Sequence, residues 1–216
     1  MQQNDLRFDA TIAVNVSLPY RVYLPNNYSE DGESRPLLLF LHGAGERGDN
    51  LELLSKLGLP KYIEDGADLP FVTICPQCPT GESWNPVGLV ALLDKVIAEY
   101  RIDTSRVYLS GLSMGGRGAW ELANLIPHRL AAIIPVCPPF YRVNPANFAS
   151  LPVWCFHGVM DSVVPVAESV RVVKLLRDAG CQVDFTTYAN VDHDSWTLTY
   201  NNPEIYDWLL RFTKLQ

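Results

Sequence analysis

Little in this 216-residue chain is repeated, clustered or biased toward one charge. It has five cysteines, an odd number without dense spacing. No disulfide framework is expected, and a reducing, cytoplasmic location fits best. Seventeen basic side chains face 24 acidic ones, a formal charge of −7. Without a basic cluster, nucleic acid and anionic membrane surfaces are excluded as partners. The longest apolar runs, "PLLLFLHG" and "LAAIIPVC", are too short to cross a bilayer. The start, "MQQNDLRFDA", lacks the basic-then-apolar order of a signal peptide. Removal of a leader would leave the same picture, so secretion stays open as the alternative.

Motifs for metals and cofactors are also missing. There is no H-E-x-x-H, and "GLSMGGRG" lacks the Lys-Ser/Thr of a phosphate-cradling loop. Cys75-Pro76-Gln77-Cys78 continues into Pro79, Thr80 and Gly81 rather than opening a helix. Cys137, Cys155 and Cys181 are too scattered to complete a zinc site. Cys75 reads as a strand-end core residue, and no metal or cofactor is expected. Nothing in the sequence fixes an oligomeric state.

What is present is alternation. Leu18–Pro25 alternates like a half-exposed strand. Leu37–His42, Phe71–Pro76, Arg106–Gly111, Ala131–Cys137 and Val153–Gly158 are continuous apolar runs of the kind buried on both faces. Val183–Tyr188 is a further strand candidate. Between them, Leu89, Leu93, Val96, Ile97 and Tyr100 share one helix face, and Ser113–Leu125, Val166–Ala179 and Glu204–Phe212 also read as helices. Strands alternating with helices imply a single α/β domain over residues 1–216, with a mostly parallel sheet and helices on both faces. Reactive groups then belong in loops at the C-terminal strand ends.

Gly111-Leu112-Ser113-Met114-Gly115 matches G-x-S-x-G between a predicted strand and a predicted helix. A sharp strand-to-helix turn would lift the Ser113 Oγ clear of the sheet and aim the helix N-terminus at the reaction site. The plain alternative is a serine capping a helix after a glycine-rich turn. A serine nucleophile needs a base, and the base needs an orienting group. Of four histidines, His128 reads as a surface residue at a helix end. His42 and His157 each close a strand and read as rings bonded to nearby backbone. His193, in the polar loop "NVDHDSW", comes last, as the order Ser…Asp…His requires. Asp161, just past the strand Val153–His157, is the candidate acid; Asp192 and Asp194 adjoin His193 too closely to turn a carboxylate back on its ring. Oxyanion donors are expected at the N–H groups of Met114 and, from the loop "LHGAGERGDN", Ala44, with Gly45 as the alternative.

With these residues in place, "RPLLLFLHGAGERGDN", "CPQCPTGESW", "VYLSGLSMGGRGAWELA", "VWCFHGVMDSVVPV" and "DHDSW" resemble the α/β-hydrolase superfamily. The closer resemblance is to its small carboxylesterases, including phospholipase/carboxylesterases and predicted peptidases, with feruloyl esterases and polyhydroxybutyrate depolymerases more distant. It extends from about Leu18 to the end. The resemblance implies Ser113 as nucleophile, Asp161 as acid and His193 as base. The oxyanion loop departs from hormone-sensitive-type lipases, reading His-Gly-Ala-Gly in place of a longer glycine run. Many relatives carry a helical lid between the superfamily's sixth and seventh strands; here Pro138–Pro152 fills that gap, too short for a lid domain. An open pocket is expected, with Trp84, Trp196 and Phe140 as substrate contacts. The implied activity is hydrolysis of a small ester of a short acyl or aryl acid through an acyl-enzyme. A serine peptidase with the same triad, or a non-catalytic binding protein on this scaffold, are the alternatives.

Overall fold

A computed structural model of the chain describes residues 3–10 and 13–214. Its centre is a seven-stranded sheet: β1 (Tyr20–Tyr23), β2 (Arg35–Leu41), β3 (Val72–Pro76), β4 (Ile102–Leu112), β5 (Ala132–Val136), β6 (Val153–Gly158) and β7 (Val183–Tyr188). The spatial order is β1-β3-β2-β4-β5-β6-β7. Only the edge pairing β1–β3 is antiparallel; every other pair is parallel. The mostly parallel sheet with helices on both faces is the architecture expected from the sequence.

The continuous leucine run of β2 has its explanation in the two layers that cover the sheet. Leu37, Leu39 and Leu41 belong to one core and Leu38 and Phe40 to the other, because alternate side chains of a strand point to opposite faces. The first core is covered by α2 (Pro86–Glu99), α3 (Met114–Leu125) and α4 (Ala167–Asp178), through Leu89, Leu93, Val96, Trp120, Val172 and Leu176. The second is covered by α1 (Gly58–Glu64) and α6 (Glu204–Leu210), through Leu59, Ile205, Trp208 and Leu209. Such two-sided burial removes the polar alternation that an exposed sheet face would leave in the sequence.

Two helices depart from the sequence reading. Helix α1 carries Pro60 in its first turn, where a missing N–H costs nothing. The five-residue α5 (Trp196–Tyr200) lies where β-branched and aromatic residues disguise a helix. The Asp194 carboxylate supports it by accepting the Thr197 N–H at 3.0 Å. Strand β4 also begins four residues earlier than its apolar run, at a half-exposed end whose register with β2 is irregular.

Chain order and spatial order part company at one place. From β2 the chain moves outward to β3, then returns to lay β4 on the other side of β2. The C-terminal ends of β2 and β4 therefore flank the switch point where open α/β sheets bind ligands. There the turn from β4 into α3 presses on β2. A Cβ built on Gly115 would lie 1.9 Å from the Leu41 carbonyl oxygen, and one on Gly111 would lie 2.4 Å from the Gly115 oxygen. Neither contact is with a movable side-chain tip.

Gly115→Ala should therefore lose about 3 kcal/mol, the upper end of ordinary overpacking. For a chain of this length that is a fall of roughly 6–12 °C in Tm. Gly45→Ala is the control, since no atom lies within 4 Å of its added methyl. Equal melting temperatures for the two variants would show that helix and strand do not approach so closely.

Candidate active site

Ser113 sits between β4 and α3 with φ 52° and ψ −117°, a backbone conformation that a residue with a side chain adopts only under constraint. Two backbone bonds hold it. The Ser113 N–H donates to Val136 O at 2.9 Å, and the Arg117 N–H donates to Ser113 O at 3.0 Å. Its Oγ is 2.9 Å from His193 Nε2, and His193 Nδ1 is 2.7 Å from Asp161 Oδ2. The three residues singled out in the sequence thus lie in one hydrogen-bonded line, at the ends of β4, β6 and β7.

The loops after β6 and β7 are stitched to each other. Asp192, beside His193, accepts the Ser162 N–H at 2.7 Å and the His193 N–H at 2.8 Å, and these donors hold its carboxyl below its usual value. Asp192 therefore locks the loop and does not address the imidazole. The Met160 N–H donates to Val191 O at 3.0 Å, a second stitch. Asp161 Oδ1 accepts the Val163 and Val164 N–H groups at 2.9 and 2.7 Å. Its Oδ2 lies 3.2 Å from Nε2 of the fully buried His157. That same nitrogen donates to Val164 O at 2.8 Å, while Nδ1 accepts from Ser169 Oγ at 2.7 Å. Burial pushes His157 below its ordinary pKa, so it stands behind the acid as a neutral N–H donor.

On the other side, the loop after β2 is shaped by His42. Its Nε2 accepts the Cys78 N–H at 2.9 Å, which leaves the ring proton on Nδ1 to be donated to Gly43 O. Burial pushes this ring down to about 4. The Trp84 indole N–H donates to His42 O at 3.1 Å, and Gln77 Nε2 donates to Glu46 O and Asn50 O at 2.8 and 2.9 Å. The Cys-x-x-Cys segment thus supplies backbone and Gln77 contacts that fix this loop, and its two cysteines are buried free thiols. The Gly43 N–H is consumed by Glu46 Oε2 at 2.9 Å. Ala44 opens a 3₁₀ turn and Met114 opens α3. A first helical N–H precedes any intrahelical bond and is free for a ligand.

A cavity of about 330 Å³ adjoins Ser113 and is lined by Ala44, Met114, Trp84, Arg47, Arg117 and Glu121, among others. Ala44 is in this lining and Gly45 is not. Trp84 is 4% exposed and so presents an edge only. Trp196 stands edge-on to the His193 ring at 5.2 Å and is outside the cavity lining. Phe140 is the third of the expected contacts. It lies outside the cavity lining and packs under the Arg171 guanidinium at 4.1 Å, with its N–H on Glu168 Oε2. The neighbouring Pro139 lines the cavity. The segment 138–152 makes a 3₁₀ turn at Pro145–Phe148 and buries Phe148 against Trp120, away from the serine. Arg47, Arg117 and Glu121 carry no signal in the sequence, and Asp192 has a structural part there that its place beside His193 does not suggest.

Cys137 Sγ, Asp161 and His193 offer donor atoms within 4.8 Å of one another. They do not suit a metal. Burial pushes the Cys137 thiol up to about 12, so it stays protonated, and both imidazole nitrogens are already engaged.

The fold and this arrangement define an α/β-hydrolase with a serine–histidine–aspartate line at its switch point. A family model described as phospholipase/carboxylesterase matches residues 85–201, and the chain belongs to that family. A bifunctional acetylxylan esterase/xylanase of Neocallimastix patriciarum is 32% identical over 90% of this chain, which covers 30% of that protein. A solved structure described as a thermostable esterase is 31% identical with a TM-score of 0.77, over 91% of this chain and 59% of that one. A ferulic acid esterase, 16% identical with a TM-score of 0.70, shares the fold. The chain thus spans less than two thirds of the first two. No helix among the described residues is long and apolar enough to cross a membrane.

His42 gives the site a pH signature. In the unfolded chain it titrates near its ordinary value of 6.5; here it titrates at about 4. Below 6.5 the unfolded chain takes up a proton that the folded chain refuses. Its contribution is therefore intact above 6.5 and lost as pH falls toward 4, about 3 kcal/mol in all. Glu46, raised by burial, acts with the opposite slope above its ordinary 4.5. Urea melts at pH 7, 5.5 and 4 should show His42→Gln less stable at pH 7, with the gap to wild type closing on acidification. A constant gap would mean that His42 binds its proton inside the fold.

Proposed function

We propose that the protein is a serine carboxylesterase acting on esters of short acyl or aryl acids, with Ser113, His193 and Asp161 as its triad. The line of hydrogen bonds from Ser113 Oγ through His193 to Asp161 carries this reading. His193 Nε2 takes the Ser113 hydroxyl proton as Oγ attacks the ester carbonyl. The resulting oxyanion is held by the Ala44 and Met114 N–H groups, and losing one such donor typically costs 10²–10³ in turnover. Collapse breaks the C–O bond to the alcohol, which leaves with the proton from His193. Water then gives a proton to His193, attacks the acyl-enzyme, and the acid departs as Ser113 recovers its hydrogen. His193 keeps one edge open to solvent, as this second step requires.

The likeness to an acetylxylan esterase adds acetylated sugars to the candidate substrates. An activity on polymeric sugar would place the chain outside the cell, where a relative in Arthroderma benhamiae is described as an uncharacterized secreted protein. The five free cysteines are buried and fit either compartment, since burial and not redox poise protects them.

The test is Ser113→Ala assayed on p-nitrophenyl acetate and on acetylated xylo-oligosaccharides. Turnover should fall by up to about 10⁶-fold, the scale on which a triad nucleophile acts. Wild-type turnover in the variant would end the assignment. Cleavage of a matched amide within tenfold of the ester would favour a peptidase, and failure of a fluorophosphonate to label the folded protein would favour a binding role.

A further inference from the structure

The cavity beside Ser113 is asymmetric, and the asymmetry identifies which half of the ester it receives. The departing alcohol must take its proton from His193 Nε2, so the alcohol lies on the His193 side. The cavity is lined by Ser113, Ala44 and Met114 but by none of His193, Asp161 or Trp196. With the oxyanion on the two N–H groups and the alcohol toward His193, the acyl chain is the substituent left to enter it.

Its charges are unbalanced. Arg117 donates from Nε to Glu121 Oε1 at 2.8 Å, and the two largely cancel. Arg47 makes no ion pair among the described residues. Its Nε is buried with no hydrogen-bond acceptor. An alkyl chain filling this space would strip water from two guanidiniums and a carboxylate and return nothing to them. A carboxylate at the far end would supply the counter-charge that the Arg47 guanidinium lacks, and guanidinium and carboxylate match as planar forks.

We propose that this cavity binds the acyl half of the substrate and that Arg47 selects acids ending in a second carboxylate, so that half-esters of short dicarboxylic acids are preferred. The proposal rests on the esterase reading above.

Monomethyl glutarate and methyl pentanoate, which differ by a carboxylate in place of the terminal methyl, are compared by titrating released acid. Wild-type kcat/KM should favour the glutarate about 10- to 100-fold, the scale of a charge-assisted hydrogen bond. Arg47→Gln should collapse that ratio, and Arg47→Lys should restore part of it. Labelling of Ser113 by a neutral fluorophosphonate checks that each variant is folded. A ratio near one in wild type, or the same ratio in labelled Arg47→Gln, overturns the proposal. A stronger preference for acetoxyacetate, with its carboxylate on the alcohol side, overturns the assignment of the cavity. Turnover of p-nitrophenyl acetate with neither methyl ester cleaved defeats the acyl site and leaves the esterase standing. Absence of both p-nitrophenyl acetate turnover and labelling in the wild type defeats the esterase reading itself.

Discussion

The approach of the β4–α3 turn to the carbonyl of Leu41 is the contact on which the site depends. Only hydrogen at Gly115 fits there. Because the gap is closed, Ser113 is held at positive φ between a fixed strand and a fixed helix. The same closeness brings the first N–H of α3 beside the loop that leaves β2, so that Met114 and Ala44 line one cavity. A looser junction would relax the serine and move Met114 away from Ala44. Position and strain are here one constraint, since the sheet that imposes the strain also fixes where the hydroxyl points.

The remaining members of the line stand on separate loops, where a single strained turn cannot position them. Their precision comes from saturation of polar groups. Asp161 takes two backbone N–H bonds on one oxygen and faces two imidazoles with the other. Asp192 ties the two loops through Ser162. Asp161 is buried, and there each bond is expensive to leave unmade. Displacing His193 therefore disturbs several satisfied groups at once, and a polar loop is held in one geometry.

Legibility in the sequence followed the same division. The strands were readable because two-sided burial leaves unbroken apolar runs, and Ser113, Asp161 and His193 were readable because chain order and strand ends restrict the choice. Helix α5 was hidden by its Trp, Thr and Tyr residues, and Asp192 by a spacing argument that weighed it only as a triad acid. Arg47 and Arg117 were missed because a charged side chain beside glycines has no periodicity; only the folded chain shows that one is paired and the other is not. The packing of Phe140 was hidden for a related reason. An aromatic residue near the right strand end has two faces to choose between, and the Arg171 guanidinium took this one.

Three histidines close or follow strands at the same edge of the sheet, and their environments divide the labour. His42 and His157 are sealed, with both ring nitrogens assigned to fixed partners, so each acts as an uncharged linker. His193 keeps an open edge and meets a hydroxyl that can give up its proton. Exchanging the surroundings would exchange the roles, since the imidazole is the same in each. Burial makes two of these rings structural by penalising their charged form. The third is left between a carboxylate and a serine hydroxyl, with part of its ring at an accessible surface.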